Sequence, residues 1–357
     1  MNRRIKKIRH YLKEEEIGCL LVDSPLDILY ILNIEQSFNY VELNFLLLIT
    51  QEKLFFISNP LSLSFIKPFL PEDIEIIESE TEPYIKNHSR YKKEVGEIIK
   101  SEKIERFAVT SAQYIDVSSK CIGIKNPIPT IAAIKTKKEC EYIRKSSSIL
   151  QNVYNKVKEN IVTGCGEIEL RNSIDIELHR EGAERRAFPT KVAFGEKTAN
   201  IFPVSTMNRL KDNDIIFLDM GCIYKGYRAE MARTIFHGKK DAKKREIYNI
   251  VLSAYKKMKE FLKPGIVASE VDGIVREYFK EMGHSQFFFH PLGESTGIVS
   301  GGISLAPYCQ DVIQPGMVFV VEPALYLPNW GCVKFKETIL VKEDGIEELT
   351  GGPEEDE

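Results

Sequence analysis

Charged residues sit at the ends of strand-sized apolar runs in this chain, and that placement restricts its fold more than any other feature. Ile215–Leu218 runs straight into Asp219, and Val318–Val321 into Glu322. Lys334 and Lys336 alternate with Val333 and Phe335, so strand parity puts both lysines on one face and Glu337 on the other. Glu230 interrupts a run between Ala229 and Met231. Ionised groups beside a buried strand must be paired or must bind something. Each one alone is explained by a strand end or a lysine partner. Together they require a sheet that collects them at one place.

The rest of the chain supplies such a sheet twice. Its 357 residues exceed what one core usually serves, so two domains are expected. Over 1–133, helix and strand signals alternate as in an α/β layer domain: a helical period at 3–17, a buried-strand run at 18–24, strand-like runs at 71–79 and 106–110, and a helix at 91–104. Residues 26–32, 44–50 and 53–58 read as helix or strand. The boundary falls near Pro129, and Thr136 and Glu139 have capping-box spacing at the start of a long helix, 136–160. A second helix, 167–182, precedes extended, turn-rich sequence and two or three strands over 212–236 with turns expected at Gly221 and Gly226. Two more helices (241–262, 268–282) and closing strands follow, so 134–357 reads as a duplicated α+β unit around one sheet. The tail from Gly351 is expected to be disordered.

Composition excludes some functions. With 49 basic and 52 acidic residues the chain has no electrostatic footprint for nucleic acid, and the basic 237–246 stretch reads as a solvated helix start. No apolar core follows the basic N-terminus, and the longest apolar runs are strand-sized, so neither a signal peptide nor a membrane span is expected. Seven cysteines without a CxxC pattern fit a reducing cytoplasm and argue against a cysteine zinc site. Arg185 and Arg186 read as surface-paired, Trp330 as a hairpin residue, and the glycine-rich 297–304 as a turn lining a cleft. His290 and Glu294, four residues apart, read equally as half a metal site, an acid/base pair or a polar turn.

The contexts of these residues resemble the pita-bread, or M24, family of Xaa-Pro aminopeptidases, prolidases, methionine aminopeptidases and creatinase. Asp219 to Thr234 resembles the family's D-x-G-x-x-Y-x-G-Y-x-x-D-x-x-R-T, and 315–326 its P-G-M-x-x-x-x-E-P-x-x-Y. Residues 134–147 resemble its K-x-x-x-E-x-x-x-I-R helix, and the N-terminal part resembles a creatinase-type domain. The resemblance implies an α/β N-terminal domain, 1–133, plus an α+β pita-bread domain, 134–357, and a homodimer.

In the family's peptidases two Asp, one His and two Glu hold two divalent metals. Carried over, the first Asp is Asp219 and the second is Glu230. The metal His is replaced by Glu294, while His290 matches the first histidine of its H-G-x-G-H motif. The Glu of E-P is Glu322, and the last Glu falls at Lys336. A further family histidine falls near Phe202 and is missing. On this reading four carboxylates face one ammonium, three negative charges net, and the lysine competes with the second metal. No metal is therefore the first expectation, with one divalent cation (Mn, Mg or Zn) on Asp219, Glu230, Glu294 and Glu322 as the alternative. The implied function is C–N hydrolysis of a small amine, amidine or short peptide in the manner of metal-free creatinase, carried by Glu230, Glu322, Glu294, Asp219, Lys336 and His290. The alternatives are a non-catalytic binding module, with Lys336 paired to Glu294 or Glu322, and an Xaa-Pro metallopeptidase with atypical ligands.

Overall fold

The computed structural model describes residues 2–34, 44–79, 91–110, 121–299 and 301–353. The end of the tail expected to be disordered, 354–357, lies outside them. The chain divides into two compact units, Met1–Ala132 and Ala133–Glu357.

The first unit is an α/β layer. Helix α1 (Arg3–Glu14) is capped by the Asn2 side chain and buries Ile5, Ile8 and Leu12 at helical spacing. Strand β1 (Cys19–Val22) leads to α2 (Pro25–Leu32). The ambiguous 26–32 run is thus helical: Ser24 accepts the Asp27 N–H and Pro25 sits in the first turn, where its missing donor costs nothing. Strands β2 (Phe45–Thr50) and β3 (Leu54–Ser58), helix α3 (Pro60–Ile66) and strand β4 (Glu75–Glu78) follow. Helix α4 (Lys92–Ser101), strands β5 (Phe107–Val109) and β6 (Cys121–Gly123) and the short α5 (Ile128–Ala132) complete the unit. The mixed sheet has the order β4-β3-β2-β1-β5-β6.

The second unit carries two helix pairs over strands. Helix α6 (Lys137–Lys158) starts at the Thr136–Glu139 capping box, and α7 (Glu167–Arg180) follows. Strands β7 (Arg185–Arg186), β8 (Lys191–Phe194), β9 (Ile215–Tyr224) and β10 (Tyr227–Phe236) form one sheet centred on β9. Then come α8 (Ala242–Phe261) and α9 (Ala268–Glu281). Strands β11 (Gly293–Ser295), β12 (Ser304–Leu305), β13 (Val318–Val321), β14 (Ala324–Leu327), β15 (Gly331–Lys334), β16 (Glu337–Lys342) and β17 (Gly345–Glu348) close the chain. One core packs α6 and α7 on the even residues Ile216, Leu218, Met220 and Cys222 of β9. A second packs α8 and α9 on residues such as Phe319, Val321, Val333 and Phe335. A bridge between Ala232 and Lys336 joins the two halves. Among the described residues no helix is long and apolar enough to cross a membrane, and all seven cysteines are free thiols.

The turn expected at Gly221 is absent, because β9 runs unbroken from Ile215 to Tyr224 and turns only at Gly226. Gly221 serves contact instead: a Cβ there would lie 2.7 Å from the Phe188 ring. Arg186 pairs with Asp175 at 2.6 Å on the surface, and Trp330 lies in the turn between β14 and β15.

A buried ion pair fastens the sheet of β10 to the sheet of β16. Arg233 on β10 pairs with Glu337 on β16 and donates to the Thr350 and Gly352 carbonyls at 2.9 Å each. Glu337 in turn accepts from the Thr350 hydroxyl and, at 3.2 Å, from the Gly352 N–H. Removing one partner strands a buried charge. Arg233→Met should therefore cost about 3–5 kcal/mol of stability in urea unfolding, and a loss under about 1 kcal/mol would show the pair to be dispensable.

Candidate active site

Alternation along each strand decides what faces the cleft. The even side chains of β9 go to the helices, so Asp219 points the other way. On β10 Ala229 and Met231 face the helices, which turns Glu230 toward Asp219. On β15 and beyond, Val333 and Phe335 enter the second core and leave Lys334 and Lys336 on the opposite face. Glu294 pairs in register with Val320, two residues before Glu322, so both carboxylates emerge on one side. Gly293 permits that register, since a Cβ would stand 2.1 Å from the Val320 carbonyl oxygen.

These residues border a cavity of about 320 Å³ lined by Lys191, Lys334 and Lys336, by Glu294, Glu322 and His290, and by Ile201, Phe202, Pro291, Gly293, Ser304 and Tyr308. Lys336 lies at its base. Its Nζ is 2.9 Å from Asp219 Oδ1, 3.3 Å from Glu230 Oε2 and 3.6 Å from Glu322 Oε2. Asp219 Oδ1 receives this charge without an aligned hydrogen bond. Lys336 does not pair with Glu294.

Three further cations enter that the sequence reading did not count. Lys191 Nζ donates to Asp219 Oδ2 at 3.0 Å, its residue standing opposite Asp219 in the β8–β9 register. Lys334 donates to Glu322 Oε2. Arg228 lies 3.5 Å from Glu230 Oε1. Four carboxylates therefore face four cations, and the expected surplus of three negative charges is gone. The Phe188 ring lies under two of these ammonium groups, 4.8 Å from Lys336 and 5.2 Å from Lys191.

The electrostatics follow. Burial alone drives the Asp219 carboxyl up, but Lys336, Lys334 and Lys191 outweigh it and hold it below the usual carboxylate range. Burial opposes Lys334 and Lys336 at Glu322 in the same way, and the lysines again win. Lys336 is pushed up: Asp219, Glu322 and Glu230 more than offset its desolvation. Glu294 differs. Desolvation, then Glu230 and Glu322, raise its carboxyl, and no lysine pairs with it.

His290 is held from behind. Its Nδ1 lies 2.7 Å from the Pro291 carbonyl oxygen and its Nε2 3.3 Å from the Tyr326 hydroxyl. A carbonyl only accepts, so Nδ1 carries the proton and Nε2 is the acceptor. Burial and then Lys334 lower its basicity. Asp272 and Arg276 of α9 set this segment: Asp272 accepts the Leu292 N–H at 2.9 Å and Arg276 donates to the His290 carbonyl at 2.6 Å. A second buried acid, Glu167, ties down the loop that carries Phe202. It accepts from Phe194 N at 3.1 Å, Lys197 Nζ at 2.7 Å and Thr206 N at 2.7 Å. Phe202, where the resemblance lacks a histidine, is 73% exposed at the cavity rim and lies 5.5 Å from Lys191 Nζ. Neither Asp272 nor Glu167 stands out in sequence, because each resembles an ordinary helix-surface acid.

Residues 141–343 match the metallopeptidase family M24. The chain is 36% identical over 228 residues to an Xaa-Pro dipeptidase of Pyrococcus furiosus, covering 64% of this chain and 66% of that protein. The matched stretch is thus just under two thirds of that relative's length. Solved structures agree along almost the full chain. An Xaa-Pro dipeptidase from Bacillus anthracis superposes with a TM-score of 0.88 at 25% identity, covering 99% of this chain and 98% of that one. The prolidase from Pyrococcus horikoshii superposes with a TM-score of 0.86 at 27% identity, covering 99% of each. With a match over more than half its length and a fold shared from end to end, the chain belongs to metallopeptidase family M24, with an α/β N-terminal domain and a pita-bread C-terminal domain.

Proposed function

We propose that the cleft receives short peptides, as befits a relative of Xaa-Pro dipeptidases, and that it works without the family's pair of divalent ions. The observation that carries this is the Lys336 ammonium, 2.9, 3.3 and 3.6 Å from Asp219, Glu230 and Glu322. A divalent ion bound by those oxygens would sit roughly 2 Å from them, in the volume the ammonium fills. Lys191 and Lys334 add further ammonium donors, on Asp219 Oδ2 and Glu322 Oε2. The donor set does not fit two divalent ions, and among the described residues no group of three or more His, Cys, Asp or Glu is arranged to hold one. The balanced charge also favours a peptide over the amine or amidine that a net acidic cleft would attract. The site thereby reads as a binding cleft of peptidase ancestry.

A second reading rests on Glu294. Among the described residues it is the one acid of the four with no lysine or arginine at salt-bridge distance; desolvation, Glu230 and Glu322 raise its carboxyl against the weaker pull of Arg228 and Lys336, and it shares the cavity with His290. A carboxylate in that state suits general acid/base cleavage of a C–N bond without metal, with His290 Nε2 as a proton acceptor.

Calorimetry with an Ala-Pro dipeptide separates the readings from metallopeptidase action. Binding should be unchanged by EDTA, and elemental analysis should find no stoichiometric manganese or zinc. Two ions per chain with EDTA-sensitive turnover would overturn the proposal. Turnover that persists in EDTA and disappears in Glu294→Gln would establish the second reading over the first.

Lys336→Met should lower stability at pH 7 by about 3 kcal/mol or more, because three acids lose their shared partner. The sign with pH follows from the shifts. Asp219 and Glu322 are depressed, so their contribution is complete above about pH 4 and is lost as pH falls through their lowered values. Lys336 is raised, so its contribution is complete below its ordinary value and is lost as pH climbs through the raised one. Urea unfolding at pH 7 and pH 3 should show a steep acid loss in the parent protein and a shallower one in the variant.

A further inference from the structure

Among the described residues the four most exposed large apolar side chains are Met207, Phe202, Tyr308 and Val204, at 72 to 76%. They are not scattered. Phe202 and Tyr308 line the cavity, and Val204 and Met207 follow Phe202 along one segment of chain. Burial alternates over 202–205: Phe202 and Val204 stand out while Pro203 and Ser205 are buried, the parity of an extended chain. From Thr198 to Asn208 no residue is charged, in a chain where 28% are. The segment is also pinned from beneath. The Ser205 hydroxyl accepts from the Val192 N–H at 3.1 Å and donates to the Val192 carbonyl at 2.9 Å. The Glu167 carboxylate accepts from the Thr206 N–H at 2.7 Å, the Thr206 hydroxyl at 2.9 Å and the Asn208 amide at 3.3 Å. A single exposed apolar side chain needs no explanation. A fixed, uncharged row of them that begins at a cavity wall does.

We propose that residues 202–207 form a docking row outside the cavity for an extended polypeptide, which lays alternate apolar side chains along Phe202, Val204 and Met207 while one of its ends enters the cleft. This rests on the reading of the cleft as a peptide site and names its ligand class: chains longer than a dipeptide, apolar beyond the part the cavity holds. Continuity and size select that occupant. Phe202 belongs both to the cavity wall and to the row, so one ligand touches both. The row has the two-residue period of an extended chain. Four such side chains offer less than the roughly 800 Å² per partner that a stable protein–protein interface buries, so the row alone does not hold a second copy of this chain. Because Ser205 and Glu167 fix the segment beforehand, binding carries no cost of ordering it.

The test is calorimetric titration of the full-length protein with Ala-Pro and with two heptapeptides that carry this pair at opposite ends, Ala-Pro-Ser-Leu-Ser-Leu-Ser and Ser-Leu-Ser-Leu-Ser-Ala-Pro. Each is run beside a counterpart with serine for leucine. One leucine heptapeptide should bind at least about tenfold more tightly than its serine counterpart, the effect of burying about 60 Å² of apolar surface. Val204→Asp and Met207→Asp, both at exposed positions, should abolish that preference, and Val204→Leu and Met207→Leu should retain it. A parent protein that binds Ala-Pro but prefers leucine in neither heptapeptide would overturn the docking row and leave the peptide cleft standing. Binding of none of these peptides would overturn both. A leucine preference that survives in the aspartate variants would overturn the role of this segment. So would a parent dimer in sedimentation that the aspartate variants split, with no leucine preference, because the row would then belong to a second copy of the chain.

Discussion

The interaction on which the cleft depends is the contact of one buried ammonium with three carboxylates. Asp219, Glu230 and Glu322 come from three different segments; the first two are buried among apolar strands and Glu322 is half-buried at the cavity. Without a cation among them their mutual repulsion would force the strands apart or protonate the acids. Lys336 supplies that cation from within the chain. It also sits at the bridge between β10 and the segment leading into β16, where the two halves of the unit meet. The same position therefore carries the charge balance and the seam.

Much of this was legible in the sequence because strand parity is a strict rule. The runs ending in Asp219 and Glu322, and the alternation around Lys334 and Lys336, fix faces without any knowledge of partners. Helix starts were equally readable, since Thr136 and Glu139 carry their capping in the sequence itself. What failed to show was pairing across strands. Lys191 stands 28 positions from Asp219 and meets it only through the β8–β9 register. Arg228 likewise meets Glu230 only in the folded sheet. Counting Lys336 alone gave an acidic cleft, whereas counting all four cations gives a balanced one. Gly221 misled for a related reason: glycine marks a turn or a close approach, and only the position of Phe188 decides which.

On the proposed reading the departures from the family's metal-binding pattern are mutually consistent: glutamate at 294 stands in place of a neutral imidazole, and lysines at 191, 334 and 336 put positive charge on the cavity wall. A fixed ammonium differs from a metal ion in ways that matter for chemistry. It has no open coordination position and does not acidify water, and it presents N–H donors in directions its stem allows. It holds acids together and binds acceptors well.

The fastening of Arg233 has a consequence for how the chain matures. During synthesis the helices α6 and α7 and the strands β9 and β10 emerge more than a hundred residues ahead of Thr350 and Gly352, whose carbonyls Arg233 requires. Until then its guanidinium lacks those acceptors and Glu337 as well, and Lys336 has not yet emerged to reach Asp219 and Glu230. The first half can pack its apolar layer early, but its charged face stays wet until the last strands arrive. Closure of the cleft is thereby tied to completion of the sheet, so a nascent chain cannot present a finished ligand wall on a half-built domain.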